Sequence, residues 1–315
     1  MNIVEQLDLA IKKKETGTTE GSYKVCHNGI TQKKQTYMTN AEWKDFLNNM
    51  IESARKEYAK GGGDELSEKN GRPPKMASYG SSSRMIYNLS KANDRFHYEE
   101  QLSTTVGGKA NLDGFCKKKD DSGYIFVEAK CHEPYSIKKN SVSPAYEGLY
   151  KYINEHYEDK DKGKLIIEMQ PSKCGRYMNV DYFVKGERIE RFDIKQMICH
   201  LLGIATGVLS GRLKEASIDF IYLLYDPRGL DISKDAKTEI DRIYERTCLE
   251  CGLIDFRILF GTILDFLRKE KKFEGKLSDE AALGVTNGFS FALMSQEEYM
   301  TMINETINAQ FSQNH

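Results

Sequence analysis

The sequence lacks the features that mark membrane and secreted proteins. No apolar run approaches the roughly 20 residues that a membrane-spanning helix needs, and the closest stretch, around residues 197–209, is interrupted. At the amino terminus, lysines follow a short apolar stretch instead of preceding it, unlike the order in a signal peptide. We therefore expect a cytoplasmic protein with no membrane partner.

Neither an excess of one charge nor a cysteine framework is present. The 46 basic and 47 acidic residues leave a formal net charge of −1, so a polyanion would have to bind a local cluster of lysine and arginine. The seven cysteines are odd in number, which fits reduced thiols. Cys248 and Cys251 form one CxxC motif, but no second pair with suitable spacing completes a tetrahedral zinc site.

The pattern of apolar residues divides the chain into three parts. Residues 1–75 show helical spacing and then a linker rich in glycine, serine and charge, which predicts an accessory segment. Residues 231–315 predict a helical extension packed on the core. The core, residues 76–230, contains an insertion at about 133–189, in which 144–158 is predicted helical and 163–170 fits a helix or a strand.

Within that core the order of elements is specific. A short helix is predicted after Ser81, followed by three strand segments at 96–104, 109–117 and 124–132 whose short breaks suit antiparallel hairpins. After the insertion, an apolar stripe predicts a core helix within 190–211, and a nearly continuous apolar run at 217–227 predicts a buried central strand.

Two of these strands carry a pattern of acids and an amine. Asp113 lies in the first, and Glu128-Ala129-Lys130 ends the second. Because side chains alternate along a strand, Glu128 and Lys130 share a face and Ala129 points the other way. Two carboxylates and a backbone carbonyl from Ala129 suit Mg²⁺, with Mn²⁺ as a substitute, and an adjacent lysine can orient water and offset phosphate charge. The pattern predicts metal-dependent phosphodiester hydrolysis.

Asp113, the gap of residues 114–127 and Glu128-Ala129-Lys130 resemble the signature of the PD-(D/E)XK superfamily of restriction-enzyme-like nucleases. Leu112 stands where the family has proline. The resemblance implies an α/β fold with a restriction-endonuclease-like αβββαβ core, a mixed central sheet flanked by helices, here with accessory amino- and carboxy-terminal helices. It implies a DNA endonuclease, of restriction or defence type; a repair or recombination nuclease and a non-catalytic nucleic-acid-binding module are the alternatives.

The resemblance also draws attention to further candidate catalytic residues. Many members carry another acid upstream, and Glu99 and Glu100 precede Asp113 here; only one of two adjacent strand residues can face the metal, and a solvent-facing pair is the alternative. Gln196 and His200 lie one helical turn apart and look like a Gln-x-x-x-Tyr motif with histidine in place of tyrosine, although a histidine packed in the core would give the same pattern.

Basic residues near these segments are the candidates for contact with the phosphates of DNA. The chain would bind DNA either as a single copy or as a homodimer. Two lysine runs follow the Asp113 and Glu128 strands, and an arginine follows the serine-rich helix start. These nucleic-acid-binding candidates are Lys117, Lys118, Lys119, Lys138, Lys139 and Arg84.

Overall fold

The computed structural model describes residues 2–20, 23–25, 35–61, 65–69, 73–118, 121–136, 140–214 and 216–308. Its helices are α1 (Ile3–Thr16), α2 (Asn40–Asn48), α3 (Glu52–Lys60), α4 (Ser82–Ser90), α5 (Glu147–His156), α6 (Ile194–Leu209), α7 (Lys234–Gly252), α8 (Phe256–Arg268), α9 (Asp279–Asn287) and α10 (Gln296–Asn308). Its strands are β1 (Tyr23–Val25), β2 (Gln35–Tyr37), β3 (His97–Ser103), β4 (Lys109–Lys117), β5 (Gly123–Lys130), β6 (Ser141–Val142), β7 (Leu165–Pro171), β8 (Met178–Val184), β9 (Glu187–Arg188), β10 (Ser217–Leu224) and β11 (Phe289–Met294).

A mixed five-stranded sheet forms the centre of the protein, in the order β11-β10-β5-β4-β3. The strands β3, β4 and β5 form an antiparallel meander, as their short connections predict. The strands β5, β10 and β11 run parallel, so their carboxyl ends meet at one edge of the sheet. Every residue of β5 is buried, which is expected of a strand covered on both faces.

Helices cover both faces of this sheet. On one face, Phe126 and Phe220 pack in a core with residues of α6 and α8. On the other, Val127 and Ile221 pack in a second core with residues of α3, α4 and α10. The alternation of adjacent residues between the two cores is the period of a strand buried on both sides.

The insertion forms its own small sheet beside the central one. The strands β7 and β8 make an antiparallel hairpin, to which β6 adds on one side of β8 and β9 pairs with β8 near its end. The helix α5 packs against β7, and Leu149 and Ile153 of α5 are fully buried. The hairpin thus extends from the same hydrophobic core that holds α6.

The predicted α/β architecture is confirmed at this level, as a mixed sheet with flanking helices. Residues 163–170, which fitted a helix or a strand, contribute β7. The carboxy-terminal extension, predicted as helical, also supplies β11 to the central sheet, and the amino-terminal segment contains the β1–β2 hairpin. Among the described residues no helix is long and apolar enough to cross a membrane.

The helix α6 lies unusually close to the sheet at Gly203. A Cβ atom at this position would lie 2.6 Å from the Cβ atom of Ala110 and 3.1 Å from that of Leu102. Only glycine allows this approach, because real Cβ contacts are longer. The close packing sets the height of α6 above β3 and β4, and therefore the position of the side chains that α6 presents at its amino-terminal end.

We predict that Gly203→Val destabilises the protein by about 1–3 kcal/mol, because the added side chain overpacks the contact between α6 and the sheet. The matched control is Gly284→Ala in α9, where a Cβ atom meets nothing within 4 Å. Alanine there should be neutral or stabilise the helix by about 0.5–1 kcal/mol. Urea unfolding measures both variants, and a wild-type midpoint for Gly203→Val would contradict the packing argument.

Candidate active site

The carboxyl end of β5 places Glu128 and Lys130 on the face that α6 covers. The Lys130 ammonium group donates hydrogen bonds to Glu128 Oε1 and, over 2.7 Å, to Gln196 Oε1 of α6. Ala129, between them, packs in the opposite core. Glu128 and Lys130 are buried, so this ion pair is shielded from solvent.

Next to this ion pair, the hydrogen-bonded ladder between the antiparallel strands opens, because some facing residues are not paired. The pairing of β3 with β4 skips the facing residues Glu99 and Asp113, and the pairing of β4 with β5 stops at Gly114 and Val127. Glu99 has a left-handed backbone, with φ of 56°. Such a conformation is strained in a residue with a side chain and is concentrated at functional sites. Asp113 Oδ2 accepts a hydrogen bond of 2.7 Å from the backbone N–H of Ala129, in place of a strand carbonyl.

Gly114 allows this local geometry. A Cβ atom at Gly114 would lie 2.1 Å from Cζ of Phe96, which packs directly against the backbone there. The Asp-Gly pair therefore combines a carboxylate that turns toward β5 with a residue that has no room for a side chain. Asp113 is thus held by the packing of the neighbouring Gly114 on one side and by a backbone hydrogen bond on the other.

Glu99 adds a third carboxyl group to the opening. Burial, the negative charge of Glu65 and that of Glu128 raise its pKa to about 7, although Lys75 acts in the opposite direction. Glu65 itself is buried, and its Oε1 accepts a bond of 3.0 Å from Lys75. A carboxyl group with a pKa near neutrality can exchange a proton with water under physiological conditions.

Asp113 is subject to the same crowding. Burial and the charges of Glu128 and Glu99 raise its pKa well above the usual value, against the opposing effects of Lys130 and of the hydrogen bond from Ala129. The acids thus repel one another across a small space, and a cation in their midst would relieve that repulsion.

Lys130 supplies the positive charge inside this cluster. Burial alone would lower the pKa of its ammonium group, but Glu128 and other nearby negative or polar groups outweigh burial and raise the pKa well above the usual value. For Glu128, burial would raise the pKa, but Lys130 and His200 hold it below the usual value. The pair is therefore charged at neutral pH, and Lys130 can act as a donor and positive charge.

The helix α6 brings both members of its predicted pair to the cluster. Asp193 caps the helix by accepting the N–H of Gln196, whose side chain binds Lys130. One turn later, Nε2 of the buried His200 lies 2.9 Å from Glu128 Oε2. Both side chains contact the residues that end β5.

Glu100 and Arg84 are directed elsewhere. Glu100 forms an ion pair of 2.6 Å with Arg212, which follows α6, so of the two adjacent glutamates only Glu99 joins the acids. Arg84 is buried, its guanidinium group binds both carboxylate oxygens of Glu15, and it also donates to the Tyr79 carbonyl. A phosphate could bind Arg84 only by displacing these partners.

The expectation that Lys117 and Lys118 border the site requires correction. Lys117 pairs in register with Tyr124 near the start of β5, whereas the acids lie at the end of that strand. Lys118 forms an ion pair of 2.7 Å with Asp219. Strand geometry places this end of the sheet about 13–20 Å from the site. The other predicted lysines, Lys119, Lys138 and Lys139, lie outside the described residues.

Two residues near the cluster were not predicted from the sequence. Glu65 lies in the segment that follows α3, and nothing in the local sequence indicated that this segment turns back toward β3. Tyr222 of β10 is fully buried beside Lys130, and its hydroxyl has no hydrogen-bond partner among the described residues. The sequence did contain an indication that Tyr222 lies near polar groups, because a hydroxyl in the otherwise apolar run of β10 needs a polar neighbour.

No family model, curated protein or solved structure matches this chain.

Among the described residues, no group of three or more His, Cys, Asp or Glu side chains is arranged so that it could hold a metal ion. The acids are close enough to shift one another's pKa values, but Glu128 is held by Lys130, and Asp113 by the Ala129 N–H. In this part of the chain, the buried Oε2 of Glu65 has no hydrogen-bond partner, and Oε2 of Glu128 faces Nε2 of His200 at 2.9 Å. Hard oxygen donors in this state suit a divalent cation such as Mg²⁺.

The raised pKa of Glu99 predicts a pH-dependent stability. A carboxyl group whose pKa rises to about 7 on folding favours the folded state at low pH, and this contribution is lost as the pH rises from about 4.5 through 7. The free energy of unfolding of Glu99→Gln should therefore equal that of wild type near about pH 5 and exceed it above about pH 7. The difference should be no more than about 3 kcal/mol, and less after solvent screening.

Urea unfolding across this pH range measures the effect, with the exposed Glu68→Gln as the matched control. A difference between Glu99→Gln and wild type that does not change with pH would contradict the assignment of Glu99 to the acid cluster.

Proposed function

We propose that this chain is a divalent-metal-dependent nuclease that hydrolyses phosphodiester bonds in DNA. One observation carries the proposal: Glu99 and Asp113 face each other where the strand pairing is interrupted, and Asp113 accepts the N–H of Ala129, between the buried Glu128 and Lys130. Carboxylates that raise one another's pKa values are the usual surroundings of a hard cation, and a fixed ammonium group beside them suits a phosphate.

The donor set fits Mg²⁺, with Mn²⁺ as a substitute. Asp113 and Glu128 would hold the ion with the carbonyl oxygen of Ala129, and Glu99 is the acid available to complete the set. When bound, the ion would lower the pKa of a coordinated water and neutralise charge on the phosphate. Holding it requires the Asp113 and Glu128 side chains to exchange part of their present hydrogen bonding.

The protein's own side chains have distinct roles in this proposal. Lys130 is protonated at neutral pH, so it orients the attacking water and stabilises negative charge and does not accept a proton. Glu99, whose pKa lies near neutrality, would join the ligands of the ion in its deprotonated form. Gln196 and His200 position Lys130 and Glu128 by direct contact.

The order of elements supports the same proposal. The succession α4, β3, β4, β5, α6 and β10 is the αβββαβ order that the resemblance to PD-(D/E)XK nucleases implies. Asp113 and the Glu128-Ala129-Lys130 segment lie on the second and third strands of that succession. An endonuclease of restriction or defence type, or one acting in repair or recombination, would be built in this way.

A non-catalytic module that binds nucleic acid is the alternative. It is favoured by one observation, that Lys130 already occupies the position of counter-ion to Glu128. In such a module the lysine would replace the metal ion permanently, and binding of DNA would be indifferent to Mg²⁺.

The test is incubation of the purified protein with closed circular plasmid and with linear DNA, in Mg²⁺ or in EDTA. We expect Mg²⁺-dependent cleavage of both, and Asp113→Asn, Lys130→Ala and Glu99→Gln should each lower the rate by about 100-fold or more. Glu100→Gln should retain activity, because Glu100 binds Arg212 outside the cluster.

Binding of DNA in EDTA, measured by fluorescence anisotropy, should be nearly unchanged in the inactive variants. Cleavage that survives in Asp113→Asn or Lys130→Ala would overturn the site. Binding without any cleavage by wild type would support the non-catalytic alternative, and cleavage of linear DNA alone would make the protein an exonuclease.

A further inference from the structure

The hairpin of β7 and β8 ends in an ordered turn, residues 172–177, called here the hairpin tip. The Ser172 N–H donates to the Tyr177 carbonyl over 2.8 Å, and the Gly175 N–H donates to the Ser172 carbonyl over 2.9 Å. Gly175 has a φ of 68°, which the turn requires. The tip is thus a defined structure that projects beyond the small sheet.

The hairpin tip is basic and aromatic, and it faces solvent. Residues 173–177 are all exposed, and Tyr177 has 53% of its surface accessible. The sequence carries no acid between Glu168 and Asp181. Among the described residues neither Lys173 nor Arg176 has an ion pair, and no carboxylate neutralises them.

The other end of the same hairpin is different. Arg188 forms ion pairs with Asp181 and Glu190, and Lys185 donates to the carbonyl of Asp161. The cations there have partners within the protein. The uncompensated charge is therefore confined to the tip, where it is available to an external anion.

The strand β6 and a small cavity connect the hairpin with the candidate active site. The strand β6 pairs with β8 at Met178 and Asn179, and the Val180 N–H donates to the Asn140 carbonyl over 3.0 Å. Asn140 in turn lines a cavity of about 30 Å³ together with Lys130. Tyr177 lies three residues before Val180, about 10 Å from it at about 3.3 Å per residue.

We propose that the hairpin tip binds the nucleic-acid strand beside the scissile phosphate, with Lys173 and Arg176 on neighbouring phosphates and Tyr177 stacked on a base. This inference rests on the proposed function. The combination of free cations and an exposed aromatic ring, without acids, is the chemistry that grips a nucleic-acid strand with little regard to sequence. A tyrosine on a rigid turn loses little conformational freedom when it stacks.

The first test measures binding of a fluorescein-labelled oligonucleotide, single- and double-stranded, in EDTA at several salt concentrations. The double variant Lys173→Ala/Arg176→Ala should weaken binding about 10-fold and lower the salt slope by about one to two. Tyr177→Ala should weaken binding about 10-fold with little change in slope, and Tyr177→Trp should restore it.

The matched control removes the same two charges from the opposite end of the hairpin, as Lys164→Ala/Lys185→Ala. An equal loss of affinity in the control and tip variants would show a general effect of charge and overturn the proposal. Wild-type affinity in all the tip variants, in a protein that binds and cleaves DNA, would overturn it while leaving the proposed function intact. Failure of wild type to bind or cleave any nucleic acid would remove both.

The second test uses Cys174, which is exposed in the tip while the other described cysteines are buried or half-buried. A benzophenone attached to Cys174, with Cys26 replaced by serine, should photo-crosslink to bound DNA close to the cleavage position. Crosslinks that appear only to protein, under conditions in which DNA is bound, would contradict the proposal and indicate a protein-binding surface.

Discussion

The site depends on the balance between one buried ammonium group and the acids packed around it. Removing either member of a buried ion pair leaves an uncompensated charge, at a cost of about 3–5 kcal/mol. Lys130 offsets the repulsion among Glu128, Asp113 and Glu99, and these acids in turn keep Lys130 charged in spite of its burial. Because the pairing works only at short range, every element that carries one of these side chains has to be held in place.

The fold meets this requirement by interrupting the strand pairing at one point and by packing a helix over the sheet there. Glu99 breaks the pairing of β3 with β4 through its left-handed backbone, and Asp113 then takes the Ala129 N–H that a strand carbonyl would otherwise accept. The helix α6 packs closely on the sheet at Gly203. This packing places Gln196 within hydrogen-bond distance of Lys130. The acids thus stand on rigid elements, as a site that must hold its geometry requires.

Much of this arrangement follows from short-range sequence patterns. The alternation around Ala129 and the helical spacing of Gln196 and His200 predicted which side chains share a face, and the structure places them accordingly. Long-range packing was not predictable: Glu65 reaches the cluster from a segment without periodicity. The expected position of Lys117 failed because proximity to Asp113 in sequence says nothing about which end of the sheet a residue occupies.

Calorimetric titration with Mn²⁺ tests most directly the proposal that the acid cluster binds a divalent cation. Wild type should bind Mn²⁺ at about pH 8 and more weakly at about pH 6, where Glu99 is protonated. Asp113→Asn and Glu128→Gln should lose binding, and Glu100→Gln should keep it. Equal binding by wild type and Asp113→Asn, or no binding by wild type at either pH, would contradict the account.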